Sequence, residues 1–161
     1  MRTYADSSFI LRLVTGEAGS LETIAEYRRL GSPKLFHLPL HALEVQNAIQ
    51  QRAFHQRRSL SSGERQHVAR ERDAALARVE RLVARRALLE VTLDMDAAFA
   101  RAAILSAAHT ERLGARAIDL LHVACALALD SEMFLTADAR QARLAKAEGL
   151  EVVSIGEQMN R

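Results

Sequence analysis

Residues 117–138 read AIDLLHVACALALDSEMFLTAD, and this stretch decides the fold. From Ala117 to Leu129 the chain is apolar almost all round, a pattern that belongs to a helix buried on every side. Met133-Phe134-Leu135 is a short β-forming run. Thr136-Ala137-Asp138 then opens a helix to Glu148, with Gly149 as its C-terminal cap and Glu151-Val152-Val153 as a final strand. Helices alternating with strands over short connections imply a mainly parallel sheet covered on both faces.

The alternation continues upstream. Asp94 and Asp96 start a helix to about Arg112 that Gly114 ends, and Leu88-Leu89-Glu90-Val91-Thr92 reads as a strand. Ser61-Ser62-Gly63-Glu64 has capping-box spacing and opens a long amphipathic helix with Val68, Ala75, Val79, Leu82 and Val83 on one face. Residues 40–57 are helical, preceded by the strand Leu35-Phe36-His37-Leu38 and the break Gly31-Ser32-Pro33. Ser20 is expected to cap a helix through Leu30. The chain opens with a strand near residues 2–5, then Asp6-Ser7-Ser8 and the apolar helix Phe9 to Val14.

Composition bounds the class. The 161 residues are 49% hydrophobic and 26% charged with a net charge of +2, which fits one globular domain, 1–161, and excludes a disordered chain. A single cysteine, Cys125, excludes a disulfide framework and a multi-cysteine zinc site, and it reads as an inert buried thiol. Asp6 stands where a secretory signal has its apolar core, and no apolar run approaches the roughly 18 residues of a membrane span. A cytoplasmic location without membrane attachment is expected. Glycine-rich phosphate loops, GxSxG elbows and HExxH helices are missing from the sequence, which argues against P-loop hydrolases, α/β-hydrolases and zincins. Charge is uneven: residues 52–86 hold ten arginines against four acids, while the remainder is net acidic. Arg65, Arg72 and Arg81 in that stretch are candidates for phosphate contacts, with a solvated outer face as the alternative.

In open parallel sheets ligands bind beyond the carboxyl ends of the strands. Asp6 follows the first strand, Asp138 follows the fourth, Glu44 lies about a turn past the second, and Asp119 sits in the buried helix. Each also has a structural role open to it. Asp6 and Asp138 can cap helices, Glu44 can face solvent, and Asp119 can pair with Arg116 or bond to His122. His41 and Glu44, three apart, share a helical face, and His122 reads as a hydrogen-bonded core residue beside Asp119. Clustered carboxylates repel unless cations neutralise them, and hard oxygen donors favour Mg²⁺ or Mn²⁺, ions suited to phosphodiester hydrolysis.

Four segments carry a resemblance over nearly the whole chain: Tyr4-Ala5-Asp6-Ser7-Ser8, Leu43-Glu44-Val45, Ile118-Asp119-Leu120-Leu121-His122-Val123-Ala124 and Phe134-Leu135-Thr136-Ala137-Asp138. In order and spacing the chain resembles PIN domains, specifically the VapC-type ribonuclease toxins of toxin–antitoxin pairs. The resemblance implies a three-layer α/β/α fold with a five-stranded parallel sheet. It implies a metal site formed by Asp6, Glu44, Asp119 and Asp138, with Ser8 and Thr136 beside it positioning water or phosphate. It also implies RNA as substrate, 5′-phosphate and 3′-hydroxyl products, a VapB-type antitoxin partner and a homodimer. The 52–86 segment is longer and richer in arginine than in short members, so recognition there does not carry over. An inert PIN-like module that binds RNA or protein, and a DNA nuclease using the same acids, are the other readings the residues leave open.

Overall fold

The computed structural model of the protein describes residues 1–58 and 60–156, so residue 59 and residues 157–161 of the expected domain lie outside the described residues. In chain order the elements are β1 (Thr3–Ala5), α1 (Ser7–Val14), α2 (Ser20–Arg29), β2 (Leu35–His37), α3 (Pro39–Arg57), α4 (Ser62–Ala84), β3 (Leu88–Glu90), α5 (Met95–Leu113), α6 (Ala117–Ala128), β4 (Met133–Thr136), α7 (Ala139–Ala147) and β5 (Glu151–Ser154). The strands form one sheet in the order β3-β2-β1-β4-β5, every pair parallel. This is the α/β/α arrangement expected from the sequence.

Period-two alternation sorts the strand residues between two cores. Tyr4, Phe36, Phe134 and Val152 point to one face, where they pack against α5, α6 and α7. Ala5, Leu35, Leu88, Met133 and Leu135 point to the other, against α1, α3 and α4. The first core explains α6: Leu120, Leu121, Val123, Ala124, Cys125 and Ala126 are all buried in it. On the second, Ala75 of α4 is buried, with Val79, Leu82 and Val83 packed alongside, and Val68 of the same helix is also buried.

Local chemistry sets the boundaries. Glu64 accepts from the Ser61 amide at 2.9 Å, closing the expected capping box. Gly114 ends α5 at φ 63°, a conformation glycine adopts without strain. Three boundaries differ from expectation, the first being that β3 ends at Glu90 rather than Thr92. Ser20 does not cap α2: Gly19 is the cap residue at φ 84°, and the Ser20 hydroxyl donates back to the Thr15 carbonyl at 2.8 Å. β2 stops at His37, because Leu38 turns to become the cap residue of α3 ahead of Pro39, whose fixed φ suits the first helical position.

Candidate active site

The chain leaves β1 toward β2 and β3 on one side and later returns to β4 on the other, so strand order reverses between β1 and β4. Asp6 stands at that point. Its amide donates to the Leu135 carbonyl at 3.0 Å, and its Oδ1 caps α1 by accepting from the Phe9 amide at 2.9 Å. Ser8 Oγ donates to Oδ1 at 2.7 Å and Thr136 Oγ1 to Oδ2 at 2.6 Å. The Ala137 amide donates to Ser8 Oγ and the Asp138 amide to Thr136 Oγ1, so the two strand-to-helix junctions are laced together through hydroxyls. Ser8 and Thr136 therefore touch Asp6 directly. Asp6 is fully buried, and burial pushes its carboxyl above the ordinary range despite the opposing His122 charge and the Thr136, Ser8 and Phe9 bonds.

Asp119 and Asp138 are tied together by one arginine. Arg116 precedes α6, and Asp119, in its first turn, reaches back to accept from the Arg116 amide at 3.0 Å. The same guanidinium grips Asp119 in a fork, Nε to Oδ2 and Nη2 to Oδ1, both at 3.1 Å, and Nη2 also donates to Asp138 Oδ2 at 3.1 Å. Asp138 meanwhile caps α7 through Oδ1, accepting from the Arg140 and Gln141 amides. Asp138 thus holds the cap position its spacing allowed, Asp119 pairs with Arg116 as its own spacing allowed, and the two acids share that guanidinium as counter-charge. The Asp119 side chain is completely buried while that of Arg116 is 59% exposed, so the guanidinium lies over the acids from the solvent side.

Glu44, near the start of α3, is held by two partners from other elements. Ser7 Oγ donates to Oε2 at 2.8 Å, and His122 Nε2 lies 2.5 Å from the same oxygen. A carboxylate only accepts, so Nε2 carries a proton, and the other ring nitrogen, Nδ1, lies 2.8 Å from the Tyr4 hydroxyl. Burial alone would raise Glu44, but the His122 bond and charge, the Ser7 bond and Arg116 outweigh it and hold the carboxyl below its usual range. His122 is therefore a core residue as expected, but its hydrogen bonds go to Glu44 and Tyr4 rather than to Asp119. His41 is not hydrogen-bonded to Glu44 among the described residues. Its Nδ1 accepts from the Leu38 amide at 2.9 Å, its ring packs on Tyr4 at 4.9 Å, and burial holds it well below the ordinary histidine value. Burial also pushes the Cys125 thiol up to about 11, which matches an unreactive thiol.

The acids occupy one sheet edge as three linked groups: Asp6 with Ser8 and Thr136, Asp119 with Asp138 through Arg116, and Glu44 with Ser7 and His122. Among the described residues no three histidine, cysteine or acidic side chains stand close enough together to share one ion. Their chemistry nonetheless fits a hard divalent cation. The donors are carboxylate oxygens, and Asp6 is a fully buried carboxyl whose hydrogen bonds come from hydroxyls and an amide, with no basic side chain bonded to it among the described residues. Arg116 is visible in the sequence as a neighbour of Asp119, but its bridge to Asp138 is not. The Tyr4-His122-Glu44 chain and Ser7 are equally hidden there, because those contacts join residues far apart in the sequence. The one local signal was the spacing of three from Arg116 to Asp119 and again to His122.

Arg65, Arg72 and Arg81 all lie on α4, which carries none of these acids. Arg65 Nε donates to the Leu60 carbonyl, Arg72 pairs with the adjacent Asp73, and Arg81 is exposed. Among the described residues no helix is long and apolar enough to cross a membrane.

A family model for the PIN domain matches residues 3–147. A crystal structure of FitAcB from Neisseria gonorrhoeae is similar in fold, with a TM-score of 0.55 at 15% identity, covering 93% of this chain and 95% of that one. No curated protein matches the chain.

Proposed function

This chain belongs to the PIN-domain family, and from that premise we propose that it is a divalent-metal-dependent endoribonuclease, the VapC-type toxin of a toxin–antitoxin pair. The reading takes residues 1–161 as a single PIN domain, cytoplasmic and homodimeric, with a VapB-type antitoxin as its protein partner. The observation that carries it is Asp6: a fully buried carboxyl at the strand-order reversal, flanked by three more acids at the same edge and, among the described residues, bonded to no basic side chain.

Asp6, Glu44, Asp119 and Asp138 would hold Mg²⁺ or Mn²⁺. When bound, such an ion supplies charge neutralisation at a phosphate and makes a water more acidic. The chain's own residues do the rest. Ser8 and Thr136 fix the two oxygens of Asp6, so the carboxylate stays oriented. Tyr4 holds the ring of His122 through Nδ1, and His122 with Ser7 holds Oε2 of Glu44. Arg116, exposed and already balancing Asp119 and Asp138, is placed to exchange its partners for an incoming phosphate. Attack by water in line with the leaving 3′-oxygen leaves a 5′-phosphate and a 3′-hydroxyl.

A second reading, an inert binding module, is favoured by one observation: Arg116 already neutralises two of the acids within the chain. Incubating antitoxin-free protein with a cellular RNA pool separates the two. Discrete cleavage that requires Mg²⁺ or Mn²⁺, stops with chelator and disappears in Asp119→Asn is expected. Cleavage that persists in Asp119→Asn, or none by the wild type on any RNA, overturns the nuclease. Cleavage of single-stranded DNA in preference to RNA would reassign the substrate.

A further inference from the structure

Away from the carboxylates, a hollow of about 380 Å³ opens where the C-terminal half of α3 meets α4. Phe54, Arg57, Arg58, Arg65 and Arg72 border it, and no carboxylate is among its lining residues. Phe54 is 60% exposed, and the Arg58 guanidinium carbon lies 5.8 Å from the ring centroid. Arg65 is anchored through Nε to the Leu60 carbonyl, which fixes its stem at the rim.

Resting on the ribonuclease reading, we propose that this hollow is a second substrate site, where one base of single-stranded RNA stacks on Phe54 and flanking phosphates lie against Arg57, Arg58, Arg65 and Arg72. The composition selects this ligand. Four guanidiniums, of which Arg72 is paired with Asp73 just outside the hollow, attract a polyanion, and a flat exposed ring beside them offers every base a π face. An apolar peptide side chain would find only Phe54 and Ala53 to pack on. Position connects the hollow to the chemistry: Phe54 lies ten residues beyond Glu44 on the same helix, about 15 Å along its axis. RNA held there spans a few nucleotides to the sheet edge, so α3 acts as a ruler between anchor and scissile bond. Arg81 is not among the lining residues, which separates it from Arg65 and Arg72.

The test measures binding of a fluorescein-labelled 12-nucleotide oligouridylate to full-length protein in chelator, where no cutting occurs. Phe54→Ala should weaken binding about tenfold. Arg57→Gln with Arg65→Gln should lower the slope of log affinity against log salt by about 0.7 for each phosphate left without its guanidinium. An oligonucleotide carrying 2-aminopurine at successive positions should show quenching at one position in the wild type and none in Phe54→Leu, a signal that general destabilisation does not imitate. Absent binding, or affinity and quenching that ignore Phe54, overturns the site whatever the cleavage assay shows. So does a Phe54→Ala protein that binds RNA normally but changes from dimer to monomer, which would make the hollow a self-association face. Wild-type protein that stacks RNA on Phe54 but cuts none keeps the site and overturns the nuclease reading.

Discussion

Asp6 shows how a local role and a chemical one coincide in one side chain. It caps α1, and for that purpose an asparagine would serve nearly as well. What asparagine lacks is the charge. Burial raises the Asp6 carboxyl, so the native state binds a proton that the unfolded chain has already released. Metal-free stability from this group is therefore full below the ordinary carboxyl value near 3.8 and falls as pH rises through the raised native value. Asp6→Asn should remove that fall and raise the metal-free melting temperature at pH 7 by roughly 2–4 °C, read by thermal scans at several pH values. A lowered melting temperature would contradict it. Glu44 has the opposite sign: its contribution is present above about pH 4.5 and is lost as pH falls through the depressed native value. Arg116 makes a second test. Arg116→Gln leaves Asp119 buried without a cation, so metal-free stability should drop by about 1–3 kcal/mol while Mn²⁺ binds more tightly, both read by thermal shift with and without the ion. Unchanged Mn²⁺ affinity would mean that guanidinium and ion do not compete. Tyr4→Phe keeps the ring and removes only the hydroxyl that holds Nδ1 of His122. Calorimetry should show Mn²⁺ affinity about tenfold weaker, and an unchanged value would reduce Tyr4 to packing.

At the scale of elements, what was legible was local. The Ser61–Glu64 spacing, the Gly114 stop and the almost wholly apolar α6 appear in the structure because each depends on residues within one or two turns. Asp138 as a cap acid and Asp119 as a partner of Arg116 were readable for the same reason. The end of β2 was missed because Leu38 is as good a strand residue as Leu35, and only Pro39 after it decides that the chain turns. Ser20 was misplaced because serine suits both the cap and the first helical position, and a glycine just before it took the cap. Pairings between elements left no local trace: Glu44 and His122 are 78 residues apart. β4, buried at all four positions, is also the strand that positions Thr136. Phe134 in β4 is fully buried and stacks on Tyr4 at 5.5 Å, so Phe134→Ala should cost about 3–5 kcal/mol in urea unfolding. A loss below about 1 kcal/mol would show that this core is not packed as described.

For the whole molecule, alternation of helix and strand was enough to foresee a parallel sheet with two helical layers, since few arrangements bury such a pattern. The order β3-β2-β1-β4-β5 was not readable from alternation, because parallel neighbours are chosen by contacts across the whole chain. That order is what brings Asp6 and Thr136 together, and with them the neighbouring acids. The uneven charge also acquires a place: the arginine-rich segment forms the α3–α4 side, and the acids lie at the sheet edge, so a polyanion meets attraction at one end and needs a cation at the other. That need for a cation is tested most directly by titrating Mn²⁺ into the metal-free protein and following free Mn²⁺ by electron paramagnetic resonance, for the wild type beside Asp6→Asn and Asp119→Asn. Saturable binding that each substitution weakens by at least about tenfold, with both variants folded, is the predicted result. Binding that both variants retain in full, or none by the wild type, would contradict it.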